Sequence, residues 1–448
     1  MSRPVPAPQG TPPRPTPRRV IAGLLLLLGL IAQILYLTPV ALPASWISYL
    51  FWAATALLWR DIPRRTRLQA GALALLGGGF LLLSQLRHGA AIDWARSLEG
   101  NVYVVAMLVG VSFLGLLGTR PPAAPRRLVT GRRGIAHTWL SVHLLGAILN
   151  LSTVFMVGDR LRARGELTTP QLLTLNRGLS SAALWSPFFA SMGVALTVAP
   201  GMSYGWILAF GLPLALFSGA LTCLELGRRF DLSRTPGHAL TPTNLLMPSA
   251  MAALVLLFHY ALTPGLSIVS LITFLLPTVA LASNLPKGPR WTARRVLDHA
   301  RQRLPAMRGE ISLFLCAGLF TQGLSTWVSA ASGGDWVLFA HFGAGEAALS
   351  YLAIIASAIA GLHPIIGVST LASLLDLEGS RLTLLGFVAL AAWGVGTAVG
   401  PLSGINLSLQ GRYGTSGYAT MRHNLTYAAV MSLLVVAVIL ALDRLLAP

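Results

Sequence analysis

Ala360-Gly361-Leu362-His363-Pro364-Ile365-Ile366-Gly367 interrupts an otherwise apolar segment that runs from about Ala347 to Leu375. Proline lacks a backbone donor and disfavours helix at the residue before it, so a helix entering a bilayer should open at His363-Pro364. Opened backbone survives at membrane depth only where protein or a water-filled cavity satisfies the freed groups. The break therefore marks a candidate site, and His363 adds a titratable ring to it.

Composition sets the broad class around that stretch. Of 448 residues, 54% are hydrophobic and only 10% charged, against about 25% charged in soluble domains. An all-α polytopic membrane protein is expected, with the lipid bilayer as its first partner. The net charge of +19 could suggest nucleic-acid binding. Its distribution argues against that reading: the basic residues, all arginine except Lys287, stand in short blocks between apolar runs, as the positive-inside rule requires. No nucleic-acid partner is expected. Cys223 and Cys316 lie within apolar runs and read as packing residues. Walker A, dinucleotide-binding and His-Glu-x-x-His signatures are missing, and no Cys cluster suggests a metal. The chain reads as a non-enzyme with no cofactor other than a coupling ion.

Residues 1–19, rich in Pro and Arg, form a basic tail ahead of the first span, and the positive-inside rule places that tail in the cytoplasm. Residues 20–234 make a first half, 235–286 the first two spans of a second, 287–309 a basic linker with an amphipathic pattern, and 310–448 the remainder. About 11 transmembrane helices result. The expected location is a bacterial inner (plasma) membrane.

Charge parity decides what the remaining segments do. If His137–Val157 crossed the membrane, Arg160, Arg162 and Arg164, and after two further crossings Arg228 and Arg229, would lie outside. A re-entrant hairpin keeps all five inside, with its tip at Gly146–Thr153. By the same logic Ala347–Leu375 is a hairpin from the opposite face, which returns Arg412 and Arg422 to the inside. Leu167–Ala199 and Leu382–Leu409 are spans broken at Trp185-Ser186-Pro187 and at Gly400–Asn406. The order hairpin, broken span, plain span thus occurs twice in opposite orientation, which reads as an inverted repeat.

Pro401-Leu402-Ser403-Gly404-Ile405-Asn406, followed by Gly411, resembles the broken-helix turn of the ion transporter superfamily, the group that includes the divalent-anion:sodium symporters and the arsenite and sodium/proton permeases. Asn150-Leu151-Ser152-Thr153 is similar to that superfamily's first hairpin tip. Gly361-Leu362-His363-Pro364 departs from the Ser-Asn-Thr of the second. The resemblance implies two inverted repeats, two re-entrant hairpins and a homodimer. The departure leaves the coupling ion open between sodium and protons.

The substrate and ion site is expected at Asn150, Ser152, Thr153, Ser186, Pro187, Gly361, His363, Pro364, Ser403, Gly404 and Asn406, whose hydroxyls, amides and freed backbone groups can bind an ion or an anion. Arg177 is expected at the interface with Asp159 or Glu166, Glu225 beside Arg228 and Arg229, and Asp335, His341 and Glu346 in solvated loops. His143 and His259 read as packing residues. The expected function is secondary active transport of a small organic anion coupled to sodium or protons. The alternatives are a sodium/proton exchanger and a membrane-embedded enzyme acting on lipid-linked substrates.

Overall fold

The computed structural model describes residues 16–38, 40, 42–117, 129–239, 242–263, 265–334 and 336–446. Asp335 and most of the N-terminal tail lie outside them. Among the described residues the chain is helical throughout, with a single isolated bridge, Thr130 to Pro236, and no strand. Seven helical stretches are long and apolar enough to cross a membrane one by one, and several shorter apolar helices accompany them. The protein is an all-α polytopic membrane protein.

Helices α1 (Pro17–Tyr36), α2 (Ala44–Leu58) and α3 (Arg64–His88) come first. The turn between α2 and α3 holds Asp61, whose carboxylate receives Arg18 at 2.7 Å and Arg19 at 2.9 Å. The short α4 (Trp94–Ser97) leads into α5 (Val102–Ser112). The end of that connection is drawn into the bundle. Ser48 and Trp52 both donate to the Leu98 carbonyl, and Asn101 donates to the Phe314 carbonyl. Buried backbone acceptors require such partners.

Two helical hairpins follow different rules of entry. The first joins α6 (Gly131–Leu149) to α7 (Ser152–Arg162) through a two-residue tip. An interrupted helix comes next, α8 (Thr169–Ala182) and α9 (Ala190–Val198), and then the long α10 (Tyr204–Arg229). After α11 (Pro242–Leu257), α12 (Ile268–Asn284), the basic α13 (Pro289–Asp298) and α14 (Arg308–Ser332), the order recurs. The second hairpin is α15 (Ala344–Ile359) and α16 (Pro364–Ser373), the second interrupted helix α17 (Ser380–Val399) and α18 (Gly404–Tyr413), and the last long helix α19 (Gly417–Leu446).

Contacts between loops fix which ends share a face. Gly131 donates to the Thr235 carbonyl, Asp159 at the end of α7 pairs with Arg412 at the end of α18, and Arg229 donates to the His423 carbonyl. Arg65 lies over the Tyr418 ring, and Arg308 donates to the Asp61 carbonyl. Both open ends of the first hairpin therefore share a face with the start of α3, the end of α10, the start of α14 and the start of α19. Arg160, Arg162, Arg164, Arg228, Arg229 and Arg412 sit on that basic face. The second hairpin opens to the other face, where Leu338 donates to the Leu374 carbonyl and Arg381 pairs with Asp443 near the end of the chain.

Close helix contact is bought with glycine between α3 and α14. A Cβ on Gly323 would stand 2.2 Å from the Gly77 carbonyl oxygen, so neither position accepts a side chain without moving backbone. In a bilayer, where apolar burial gives helices little reason to associate, such small-residue packing carries association.

Candidate functional site

Both hairpin tips and both helix breaks meet at one cavity of about 90 Å³. Asn150 and Leu151 reach it from the first tip, His363 from the second, Phe189 and Ala190 from the first break, and Gly404 and Ile405 from the second. Each pair stands at the start of a half-helix: α7, α16, α9 and α18 all point their N-termini there. A helix N-terminus carries roughly half a positive charge, with unpaired N–H groups aimed along its axis. Four of them around one small space make it a site for negative charge. α7 and α9 have no side-chain cap; the Thr153 and Val154 N–H groups donate to the Asn150 and Leu151 carbonyls, and the Met192 N–H to the Phe189 carbonyl.

Each tip turns on a residue with positive φ. Asn150 has φ of 50° and ψ of −140°, outside the left-handed helical well that asparagine visits, so the first tip holds its backbone in a region few side chains adopt. Its amide donates to the Ile148 carbonyl at 3.3 Å and to the Phe188 carbonyl at 3.2 Å, stitching the first tip to the first break. Gly361, at φ of 106°, turns the second tip, and its carbonyl accepts from Gln69 at 2.8 Å. Pro364 then begins α16, where its missing N–H is no loss. The Ile365 N–H donates to His363 Nδ1 at 3.2 Å, which leaves Nε2 as the donor nitrogen of the ring. That ring meets Trp393 edge to face at 5.0 Å and lines the cavity.

The other expected residues divide by what their polar atoms already do. Ser403 caps α18 by accepting from the Asn406 N–H and donates to the Thr397 carbonyl at 2.7 Å. Asn406 is fully buried, donates to the Gly400 carbonyl at 2.9 Å and accepts from Asn176 at 2.8 Å. Ser186 donates to the Ala147 carbonyl and accepts from the Phe188 N–H. With Pro187 it lines a separate cavity of about 200 Å³. Ser152 is bonded by Arg303 and faces a larger vestibule, while the buried Thr153 hydroxyl has no partner. Asn150, His363 and Gly404 therefore line the central cavity, and Ser186, Ser403 and Asn406 satisfy backbone freed by the breaks.

The vestibule, about 780 Å³, opens beside the basic linker and shares Leu108, Asn150, Leu151 and Glu310 with the central cavity. Arg295, Asp298, His299 and Arg303 line its outer part. Burial, together with the charges of Arg303 and Arg295, pushes His299 down to about 4. Its ring is held by the Ser112 hydroxyl at 2.8 Å.

Arg177 lies elsewhere than expected. It is fully buried, and donates to Glu225 at 2.8 Å and Asn424 at 2.8 Å over the face of Tyr427. Asp159 is taken by Arg412 and Tyr413 instead. Two turns of α8 carry Arg177 from the helix start at Thr169 into the interior, beyond the interface the sequence suggested. Glu225 bridges Arg177 to Arg229, its i+4 neighbour. Asn424 in turn donates to Asn176, so the chain of bonds runs from Asn406 to the basic face. Glu346 caps its own helix by accepting from the Gly343 N–H. His143 bonds Ser181 and accepts from Trp185, and His259 bonds the Leu266 carbonyl.

The chain matches no protein-family model and no curated protein. Among solved structures it is similar to the Alcanivorax borkumensis YdaH transporter, whose topology is described as unusual. Identity is 15% and the TM-score 0.43, over 96% of this chain and 100% of that one. At that identity and score the likeness assigns no activity.

Among the cavity residues that sequence reasoning missed are Glu310, Ser180 and Trp393. Glu310 is the first residue past the 287–309 linker and drew no expectation. Its signal was an acidic residue one position ahead of an apolar span. Ser180 is 1% exposed and its hydroxyl has no partner, a fact invisible without coordinates.

Proposed function

We propose that the chain is a secondary active transporter that moves a small organic anion by alternating access, coupled to sodium or protons. The convergence of four half-helix N-termini, two of them from hairpins that open to opposite faces, on one cavity supports this reading. Paired discontinuous helices around a central site suit a mechanism in which that site is presented to each face in turn. In this reading both hairpins are re-entrant, the two halves are inverted repeats, and the chain is a distant relative of the ion transporter superfamily. The basic face, with the N-terminus, is then cytoplasmic, the membrane a bacterial plasma membrane, and a homodimer the working form.

Specificity for an anion follows from helix dipoles rather than from an arginine in the cavity. His363 Nε2 and the Ser180 hydroxyl add neutral donors. The test is uptake of labelled acetate, benzoate and succinate by proteoliposomes under imposed pH or sodium gradients. Gradient-driven accumulation of at least one probe, lowered by His363→Ala, is expected. If all three equilibrate no faster than in protein-free liposomes under either gradient, the anion reading fails. The carboxylate of Glu310 favours sodium/proton exchange as the second reading, detected by sodium-driven proton movement without any organic anion.

A further inference from the structure

Glu310 stands in the first turn of α14 and lines both the vestibule and the central cavity. Among the described residues it joins none of the ion pairs. A half-buried carboxylate that lines a largely apolar cavity, with no hydrogen-bonding partner and only the charge of Arg303 acting on it, is costly to keep ionised. The four N-termini offset that cost while the cavity is empty of substrate. They cannot serve two anions at once. A space of about 90 Å³ would hold a bound anion within ~6 Å of the carboxylate. At an effective dielectric of ~20, repulsion at that distance changes a binding constant by about 100-fold.

We infer that Glu310 carries the coupling proton: an anion enters the cavity together with a proton bound to this carboxylate, and the two leave together. The inference rests on the transporter reading and names its coupling ion. Water in the vestibule supplies the proton to a Glu310 oxygen on one side, and water at the opposite face accepts it when the anion departs. Because each ligand favours the other by the same factor, the proton gradient drives the anion and the reverse. A second feature of the same cavity points to a ligand there, the buried, unpartnered Ser180 hydroxyl.

The charged and titratable groups facing Glu310 from other elements are few. The linker supplies Arg295, Asp298, His299 and Arg303, and the second hairpin tip supplies His363. Arg303 is engaged by Ser152 and His299 by Ser112. The lining from α5, α7, α8, α17 and α18 is uncharged.

The test reads the carboxyl group directly. Infrared difference spectra of the full chain in lipid nanodiscs, taken between acid and alkaline pH, should contain a protonated-carboxyl stretch that disappears in Glu310→Gln and shifts in Glu310→Asp. It should be indifferent to replacing potassium with sodium. A spectrum unchanged by Glu310→Gln overturns the inference, and so does a band removed by sodium at constant pH, which would make the residue a sodium ligand. In proteoliposomes, benzoate uptake should lose its response to an inside-alkaline gradient in Glu310→Gln, and a response equal to that of the parent overturns the coupling. If none of the probes is taken up at all, the transport reading falls, while the infrared result still decides whether Glu310 binds a proton.

Discussion

Replacing Arg177 with methionine keeps much of its length and removes its charge and donors. The guanidinium donates to Asn424 at 2.8 Å, to Glu225 at 2.8 Å and to the His423 carbonyl at 3.3 Å, and its side chain is fully buried. Hydrogen bonds to charged groups contribute roughly 1.5–3 kcal/mol each, but burying the guanidinium costs several kcal/mol in return. Breaking one side of a buried pair typically costs about 3–5 kcal/mol because the survivor is left uncompensated. Glu225 keeps Arg229, so the lower end, about 3 kcal/mol, is expected. In a chain this large that corresponds to a fall in melting temperature of roughly 3 °C, read by thermal unfolding of the detergent-solubilised protein. Adding Glu225→Gln should restore part of the loss, since it removes a half-buried carboxylate left with Arg229 alone. Arg177→Lys should not, because an ammonium cannot reach three separate acceptors in the fork geometry. A melting temperature within about 1 °C of the parent, or a double variant less stable than the single one, would refute the reasoning.

Three further outcomes follow from separate parts of the structure. Gly323→Val should cost at least about 2 kcal/mol and loosen α3 from α14, seen as a lower melting temperature and faster proteolysis between them; an unchanged melting temperature would mean the 2.2 Å approach to Gly77 is not maintained. Hydrogen bonding from Arg19, then the charges of Arg19 and Arg18, hold the Asp61 carboxyl below its ordinary 3.8. Its contribution is therefore complete above that value and lost as pH falls through the lower native one. Asp61→Asn should accordingly melt below the parent at pH 7 and converge with it in acid, and a gap that stays constant with pH would assign the effect elsewhere. Ser180→Ala removes a hydroxyl without partners and should change stability by less than about 0.5 kcal/mol while raising the KM for any transported probe. Ser181→Ala, which loses bonds to His143 and Gly178, should instead cost about 1 kcal/mol, measured by the same melts.

The fold was legible because membrane proteins write their topology in two strong signals. Proline and glycine at 361–364 and 400–404 announced breaks that the structure contains, at His363-Pro364 and at Gly400–Ser403. The arginines at 160–164, 228–229 and 412 announced a shared face, which Arg412 on Asp159 and Arg229 on His423 realise. The site was legible only in its backbone. Four breaks could be found by reading, but whether Ser403 or Asn406 served a ligand or a freed carbonyl depended on hydrogen bonds that no spacing encodes.

Charge misled most, and the reason is physical. Arg177 was expected at the interface with Asp159 or Glu166, although a helix carries each successive residue about 1.5 Å further from the surface. Eight residues into α8, Arg177 is deep enough to need Glu225, Asn424 and the Tyr427 face. Three residues into α14, Glu310 has left the linker and faces the cavity. The two then took opposite courses. Arg177 is surrounded by acceptors and fixes four helices, α8, α10, α18 and α19, through the asparagine chain that ends at Asn406. Glu310 has no fixed partner, so its charge can change with what occupies the cavity. A buried charge with every bond made resists change, and one left without an ion-pair partner is where a gradient can act.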